Sequence, residues 1–188
     1  MEDSLRIHHF ETVSYSNGPG KRAVLWLQGC TLGCPGCFNP HTHSTKSGRL
    51  VRLSNLLNRI VNVSPLIEGL TISGGEPLQQ LTPLLKFLSE IRQKTNLSVI
   101  LFSGFTLEEI RTFPSANQLL SLIDVLISGR YIQTQSTHNL WIGSGNKIIS
   151  LFSSRYSIED LSSVPEGEII IQQNGEILSS GVTPLIFR

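Results

Sequence analysis

Charge is the first thing this sequence has little of. Charged residues make up 15% of its 188 positions, against about 25% in an ordinary soluble domain. Fifteen Lys and Arg against fourteen Asp and Glu leave a formal charge of +1, with no basic run able to neutralise a row of phosphates. No nucleic-acid partner is expected. Long apolar runs are missing too: nothing approaches the ~20 residues that cross a bilayer, so no membrane partner is expected either. Met1 to Phe10 carries Glu2, Asp3, Arg6, His8 and His9, which is not the charged-then-apolar pattern of a secretory signal, and a cytoplasmic protein is expected. Cysteine is scarce, but all three fall within eight residues, at 30, 34 and 37. An odd, tightly spaced set in a cytoplasmic protein argues for a metal or redox centre over a disulfide framework.

The apolar share of 39% supports a real core. At ~150 residues per domain, the length supports one domain over residues 1–188. Ala23 to Gln28 reads as a short buried strand ended by Gly29. Leu53, Leu56, Leu57, Ile60 and Val61 recur at helical spacing, and Leu66 to Ser73 reads as a second strand stopping at Gly74-Gly75. A further helix carries Leu81, Leu84, Leu85, Leu88 and Ile91 on one face, and Leu97 to Phe102 is a third strand. Thr106 with Glu109 has the form of a capping box at a helix start. Leu122 to Ile127 is a fourth strand, and a polar loop follows Gly129 through Asn139; the composition from Ser136 to Ser154 is also that of a loop. Alternating strands and helices require crossovers and so favour a parallel sheet. The tail differs: Glu168 to Gln173 and Glu176 to Leu178 flank Asn174-Gly175, which predicts an antiparallel hairpin attached to the main sheet, an extension over about 164–188.

Cys30-Thr-Leu-Gly-Cys34-Pro-Gly-Cys37 has the spacing C-x3-C-x2-C, short enough for one loop to grip one metal centre. A cubane iron–sulfur cluster takes four ligands, usually thiolates. Three from this chain leave one iron open to a non-protein ligand. A structural zinc completed by His41 or His43 uses the same residues, because Cys3His is an ordinary zinc set. Three free core cysteines flanked by Gly and Pro would pack poorly. Further along, Thr71-Ile72-Ser73-Gly74-Gly75-Glu76-Pro77 ends a strand with two glycines that allow a ligand near the backbone and a carboxylate suited to an ammonium group. An ordinary strand-to-helix turn with Pro77 in the first turn has the same composition. Neither a Walker motif nor the three-glycine dinucleotide fingerprint is present.

Jointly, the cysteine loop after the first core strand and Gly-Gly-Glu-Pro after the second resemble the radical S-adenosylmethionine (SAM) superfamily. The resemblance implies an α/β fold, a truncated open (β/α) partial TIM barrel with a core over about 17–150 and the C-terminal hairpin added. It implies a [4Fe-4S] cluster on Cys30, Cys34 and Cys37, with SAM chelating the fourth iron. Gly74, Gly75, Glu76 and Pro77 would then border the methionyl amino group, Gly36 and Phe38 the adenine side, and Ser103 would join the cofactor contacts. The closer resemblance is to the glycyl-radical activases, in particular those of anaerobic ribonucleotide reductase. Asn17-Gly18-Pro19-Gly20, Leu25 to Cys30, Gly36 before the third cysteine, Phe102 to Thr106 and Asp124 to Ile127 carry it. Ser128 replaces an expected aspartate, and Trp141 to Lys147 matches an Arg-Gly-Ser-Ser-Asn-Gln segment only loosely.

That resemblance implies reduction of the cluster by flavodoxin or another low-potential carrier, cleavage of SAM to methionine and a 5′-deoxyadenosyl radical, and hydrogen abstraction from a glycine of a large partner enzyme. A chain of this length has little left to roof the open side of a partial barrel, so a macromolecular substrate would supply that wall. The absence of further cysteines excludes a cysteine-ligated auxiliary cluster. The alternatives are a radical SAM enzyme acting on a small molecule, of the carboxydeazaguanine synthase kind, or on a peptide, and a Cys3His zinc or electron-transfer module.

Overall fold

The computed structural model describes residues 3–136, 141–171, 174–175 and 177–181. Its centre is a seven-stranded sheet built from β1 (Ser4–Ser14), β2 (Arg22–Leu27), β3 (Arg49–Arg52), β4 (Gly69–Gly74), β5 (Ser98–Ser103), β6 (Val125–Ser128) and β7 (Ile148–Leu151). The order across the sheet is β3-β1-β2-β4-β5-β6-β7. The middle four, β2, β4, β5 and β6, pair in parallel, as the strand–helix alternation predicts. The flanking pairs β1·β2, β1·β3 and β6·β7 are antiparallel. The architecture is therefore mixed α/β with a mostly parallel centre.

Helices cover one face. In α1 (Leu53–Val63) the residues Leu53, Leu56, Leu57 and Ile60 are buried, and in α2 (Leu81–Lys94) Leu84, Leu85, Phe87, Leu88 and Ile91 are. Both sets follow the 3.6-residue period, and each such side chain contributes ~1.5–3 kcal/mol by leaving water. The capping box forms as expected at the start of α3 (Leu107–Arg111), where Thr106 Oγ1 accepts from Glu109 N and the Glu109 carboxylate accepts from Thr106 N. Pro114 follows, and the chain restarts as α4 (Ala116–Ser121). These helices pack on Leu25, Leu27, Ile72, Val99 and Leu101 of the sheet.

Three sequence expectations change. Leu66 ends a 3-10 turn rather than starting a strand, because Pro65 sits in that turn and β4 begins only at Gly69. The stretch from Ser136 to Ser154 is not all loop: β7 lies within it, with Ile148 and Leu151 exposed along the sheet edge, so burial periodicity is weak there. Residues 137–139 of the expected polar loop, and residue 140 after it, lie outside the described residues. The hairpin forms from β8 (Gly167–Ile171) and β9 (Ile177–Gly181) in antiparallel register, but as its own two-stranded sheet. Gln172, Gln173 and Glu176 lie outside the described residues.

The open side of the sheet is also less open than chain length suggests. Trp141, Ile142, Leu161 of α5 (Ile158–Ser162) and Val164 pack on Ile100, Val125 and Ile127, and Trp141 Nε1 donates to Leu161 O at 2.7 Å. The hairpin continues this cover toward β1 through hydrogen bonds from Ser14, Tyr15 and Ser16 to Glu168. The chain after residue 140 thus supplies a partial roof of its own.

Candidate iron–sulfur and SAM site

Because β2, β4, β5 and β6 run in parallel, the segments after Leu27, Gly74, Ser103 and Ser128 emerge at one rim. Parallel sheets bind their ligands at this end. The cysteine loop leaves β2 there and is tied by short-range bonds. Gln28 Nε2 donates to His41 O at 3.1 Å and Ser44 O at 2.9 Å, while Gly29 N donates to Thr42 O and Cys30 N to His43 O. Thr31 and Gln79 exchange two bonds, which joins the loop to the turn after β4. His41 and His43 thus meet the loop through their backbone carbonyls.

Cys30, Cys34 and Cys37 are free and half-buried on this loop. Burial pushes the Cys30 thiol up from its ordinary value, partly offset by the N–H of Leu32. Gly36, at φ +66°, lies under the Gln133 amide: a Cβ there would come within 2.3 Å of Gln133 Oε1. Phe38, half-exposed, meets Tyr131 edge-on with ring centroids 5.3 Å apart. The loop after β6 therefore closes on the cysteine loop through Tyr131 and Gln133.

The turn after β4 continues the sheet into the loop. Gly75 N donates to Leu27 O and Glu76 N to Gly29 O, both at 2.9 Å. A Cβ on Gly75 would lie 2.4 Å from Gly29 O, so the approach this glycine permits is that of the cysteine loop's own backbone. Pro77 opens the following 3-10 turn and is buried, as is Glu76. The Glu76 carboxylate accepts from Leu78 N at 2.9 Å, Ser103 Oγ at 2.9 Å and Gly104 N at 2.7 Å. Burial raises its pKa, and these three donors pull the other way. Glu76 thus clamps the end of β5 to the turn after β4, and Ser103 acts through it. Cys30, Gly75, Glu76 and Ser103 are brought together by main-chain and carboxylate bonds.

Sequence reasoning missed the contribution of Ser144, Asn146 and Lys147. Ser144 is fully buried, and its Oγ and Asn146 Oδ1 have no hydrogen-bond partner among the described residues. Native proteins rarely leave such atoms unpaired without a ligand or water to meet them. Lys147 Nζ donates to Gly129 O at 2.8 Å. Burial lowers the pKa of Lys147, while Glu76, Cys34 and Cys37 act to raise it, so its charge faces the rim. The only signal for these residues was their place in the loosely matched Trp141 to Lys147 stretch.

Among the described residues no group of three cysteine, histidine or carboxylate side chains is close enough to hold one metal ion. A four-iron cubane spreads its ligands further apart than one ion does. Three free thiols on one clamped loop, unpaired polar atoms and an ammonium at the same rim suit a cluster and an amino-acid-bearing ligand. Fold and loop together suit an iron–sulfur protein.

Comparison with known proteins gives the same class. Residues 16–150 match the family described as a 4Fe-4S single cluster domain. The anaerobic ribonucleoside-triphosphate reductase-activating protein of Escherichia coli K12 is 30% identical over 152 residues, 77% of this chain and 97% of the relative. The protein of that name from Haemophilus influenzae is 36% identical over 143 residues, 72% of this chain and 91% of the relative. That of bacteriophage T4 is 31% identical over 137 residues, covering 71% and 85%. The crystal structure of QueE from Escherichia coli aligns with a TM-score of 0.41 at 20% identity, over 55% of this chain and 53% of that one. The chain belongs to the 4Fe-4S single-cluster family, in its group of anaerobic ribonucleoside-triphosphate reductase-activating proteins. It is a radical SAM enzyme, and its cofactors are a [4Fe-4S] cluster and SAM.

Proposed function

We propose that this enzyme installs a glycyl radical on an anaerobic ribonucleoside-triphosphate reductase. The observation that carries the reading is the cysteine loop, clamped at the rim of the parallel strands in a chain that shares at least two thirds of its length with proteins named for activating that reductase. The whole chain is taken as one domain, and the run of parallel strands between antiparallel flanks is the basis for a partial barrel. A low-potential carrier such as flavodoxin in a reducing cytoplasm fits free, half-buried thiols.

Cys30, Cys34 and Cys37 would hold the cluster, and the open iron would take the methionyl amino and carboxylate groups of SAM. When bound, the cluster and SAM would supply the one-electron reductive chemistry for hydrogen-atom abstraction from a glycine, the electron coming from the low-potential carrier. This chain's residues set the conditions. Glu76 fixes the relation of Gly74, Gly75, Pro77 and Ser103 to the loop, so the backbone bordering the methionyl group does not reorganise on binding. The Lys147 ammonium supplies positive charge toward the thiolates and carboxylate. Ser144 Oγ and Asn146 Oδ1 offer hydrogen bonds to hydroxyl or amino groups. Gly36 and Phe38, where Tyr131 and Gln133 close on the loop, would border the adenine side of SAM.

The test mixes reconstituted enzyme, SAM and reductant with the reductase under anaerobic conditions. An electron paramagnetic resonance doublet from the single remaining glycine α-hydrogen is expected, collapsing when that hydrogen is deuterium. SAM cleavage without a doublet on the partner would reject the activase role and leave the radical SAM chemistry standing.

A further inference from the structure

The hairpin β8–β9 lies beyond residue 150, where the match to the family ends. It is nevertheless fastened at a particular place. Glu168 accepts from Ser14 Oγ, from Ser16 Oγ at 3.1 Å and from Tyr15 N at 2.9 Å, while Asn17 Nδ2 donates to Ser180 Oγ at 2.8 Å. These bonds hold the hairpin beside the end of β1. Between it and the sheet runs a groove of about 300 Å3. Trp26, Phe102 and Trp141 give it apolar walls, His9 and Glu11 give it polar ones, and Ile170 of β8 faces them. The groove reaches Phe38 and Asn39 of the cysteine loop and Ser73 before Gly74, so it is continuous with the cluster site.

Its occupant follows from size, lining and surroundings. At about 300 Å3 it lies at the bottom of the range of roughly 300–1,000 Å3 for small-molecule sites, and it offers stacking surfaces beside groups that bond to peptide N–H and C=O. A short stretch of polypeptide suits it. The outer face of the hairpin points to the same class. Strand alternation sends Ile169 and Ile171 outward while Ile170 turns in, and Ile171 stands directly opposite Ile177. Ile171 is 71% exposed and Ile177 57%. A two-stranded hairpin has little stability of its own, and exposed isoleucines on its solvent face add none. Apolar contact on both sides is what a strand pair held between a groove and a second protein has.

Resting on the activase reading above, we propose that the strand pair β8 (Gly167–Ile171) and β9 (Ile177–Gly181) is the element with which this enzyme recognises its glycyl-radical partner. Its inner side walls the channel that admits the partner's glycine-bearing segment to the cysteine loop, and its outer isoleucines rest on the partner's surface. Glu168 is the positioning residue that holds it in place.

The experiment uses the full-length reconstituted enzyme with purified reductase. The double variant Ile171→Ser, Ile177→Ser changes only exposed side chains, so folding and iron content should match wild type. SAM cleavage without the partner should stay within twofold, while the partner concentration giving half-maximal radical formation should rise at least tenfold at little change in maximal rate. Ile170→Trp, which fills the groove, should instead lower the maximal rate of radical formation at least tenfold while uncoupled SAM cleavage continues. Glu168→Ala should raise the half-maximal partner concentration, and Glu168→Gln, which keeps an acceptor, should restore part of it. If all variants activate the reductase as wild type does, the hairpin is not the recognition element, although the activase role stands. If the wild type cleaves SAM but leaves no radical on any partner, both readings fall. If sedimentation shows a wild-type dimer that the serine variant breaks, the face belongs to a second copy of this chain and the proposal is overturned.

Discussion

Two ends of the same parallel strands bury cations on opposite terms. At the amino ends Arg22 is fully buried, and its three nitrogens donate to Thr71 Oγ1, Ser98 Oγ, Tyr156 Oη and the carbonyls of Pro19, Leu70 and Ser98. Every direction a guanidinium can donate in is used. At the carboxyl ends Lys147 has, among the described residues, one hydrogen bond, to Gly129 O, and Ser144 Oγ and Asn146 Oδ1 close by in the chain have no partner among those residues. The first end is finished as it stands. The second is left open, because the Lys147 charge lies within reach of Glu76, Cys34 and Cys37 where three thiols stand free. Substitutions at the two ends should therefore separate stability from chemistry.

The largest effect should come from the thiols. Replacing Cys30, Cys34 or Cys37 by Ala should reduce reconstituted iron from about four per chain to a small remainder and abolish SAM cleavage. Iron and sulfide content, with the visible absorption lost on reduction, measure it; a variant that retains a full, stable cluster would remove that cysteine from the site. Next in size is Arg22→Met. It leaves buried hydroxyls and carbonyls unmet, at a cost of about 3 kcal/mol or more in urea unfolding of the iron-free protein, since each orphaned group carries ~1–3 kcal/mol. Folded Arg22→Met should still take up iron, which is what distinguishes a structural end from a chemical one.

The legible and illegible parts of the sequence divide along similar lines. The four parallel strands, α1, α2 and the capping box were readable because each expresses a local rule: apolar periodicity, a breaker, or a cap at fixed spacing. The cysteine loop and Gly-Gly-Glu-Pro were readable because their residues are contiguous. β1, β3 and β7 were not, for their exposed positions blur the alternation, as Leu50 in β3 and Ile148 in β7 do. Lys147 and Ser144 were hidden for another reason. Nothing in their local sequence states that the β6–β7 connection returns over the cysteines, a matter of topology alone. Glu76 stood out in the sequence as a carboxylate beside two glycines, but its three donors show a clamp that composition could not. The roof after residue 140 was missed because chain length was counted without regard to how little backbone is needed to cover one sheet face.

Lys147→Met sharpens the comparison because its effect on stability should be opposite to that of Arg22→Met. Removing a half-buried ammonium with a single carbonyl partner should leave the unfolding midpoint of the iron-free protein unchanged or slightly higher, since its desolvation cost disappears with it. Iron content should also stay near wild type. SAM affinity, by equilibrium binding to the reconstituted cluster, should fall about tenfold, equivalent to about 1.4 kcal/mol. Unchanged affinity would detach Lys147 from the cofactor and leave it a lysine that merely caps Gly129. Glu76→Gln should show the intermediate behaviour of a clamp, keeping an acceptor for part of the donor set, whereas Glu76→Ala should lose both stability and affinity.

The smallest effect is one of pH, and it sets a carboxylate from each end against the other. Asp124, just ahead of β6 at the amino ends, is buried, which alone would raise its pKa, but Ser153, Val99 N and Arg92 together hold it below the ordinary value. A carboxylate with a depressed native pKa contributes stability that is fully present above its unfolded pKa of about 3.9 and lost as pH falls through the native value. Glu76 is raised instead, so protonation favours its folded form: as pH falls through the native pKa toward the unfolded value near 4.3, stability is gained. The two slopes oppose one another in the acid range. Removing Asp124 by Asp124→Asn should therefore weaken acid destabilisation below pH 4 by about 1 kcal/mol, after a larger loss at neutral pH where its charged bonds are missed. Removing Glu76 by Glu76→Gln should do the reverse, steepening the fall of stability as pH drops toward the unfolded value near 4.3. Urea titrations of the iron-free protein across pH 3.5–7 measure both slopes. If the two variants bend the profile in the same direction, the contrast between a satisfied amino end and an open carboxyl end fails at its carboxylates.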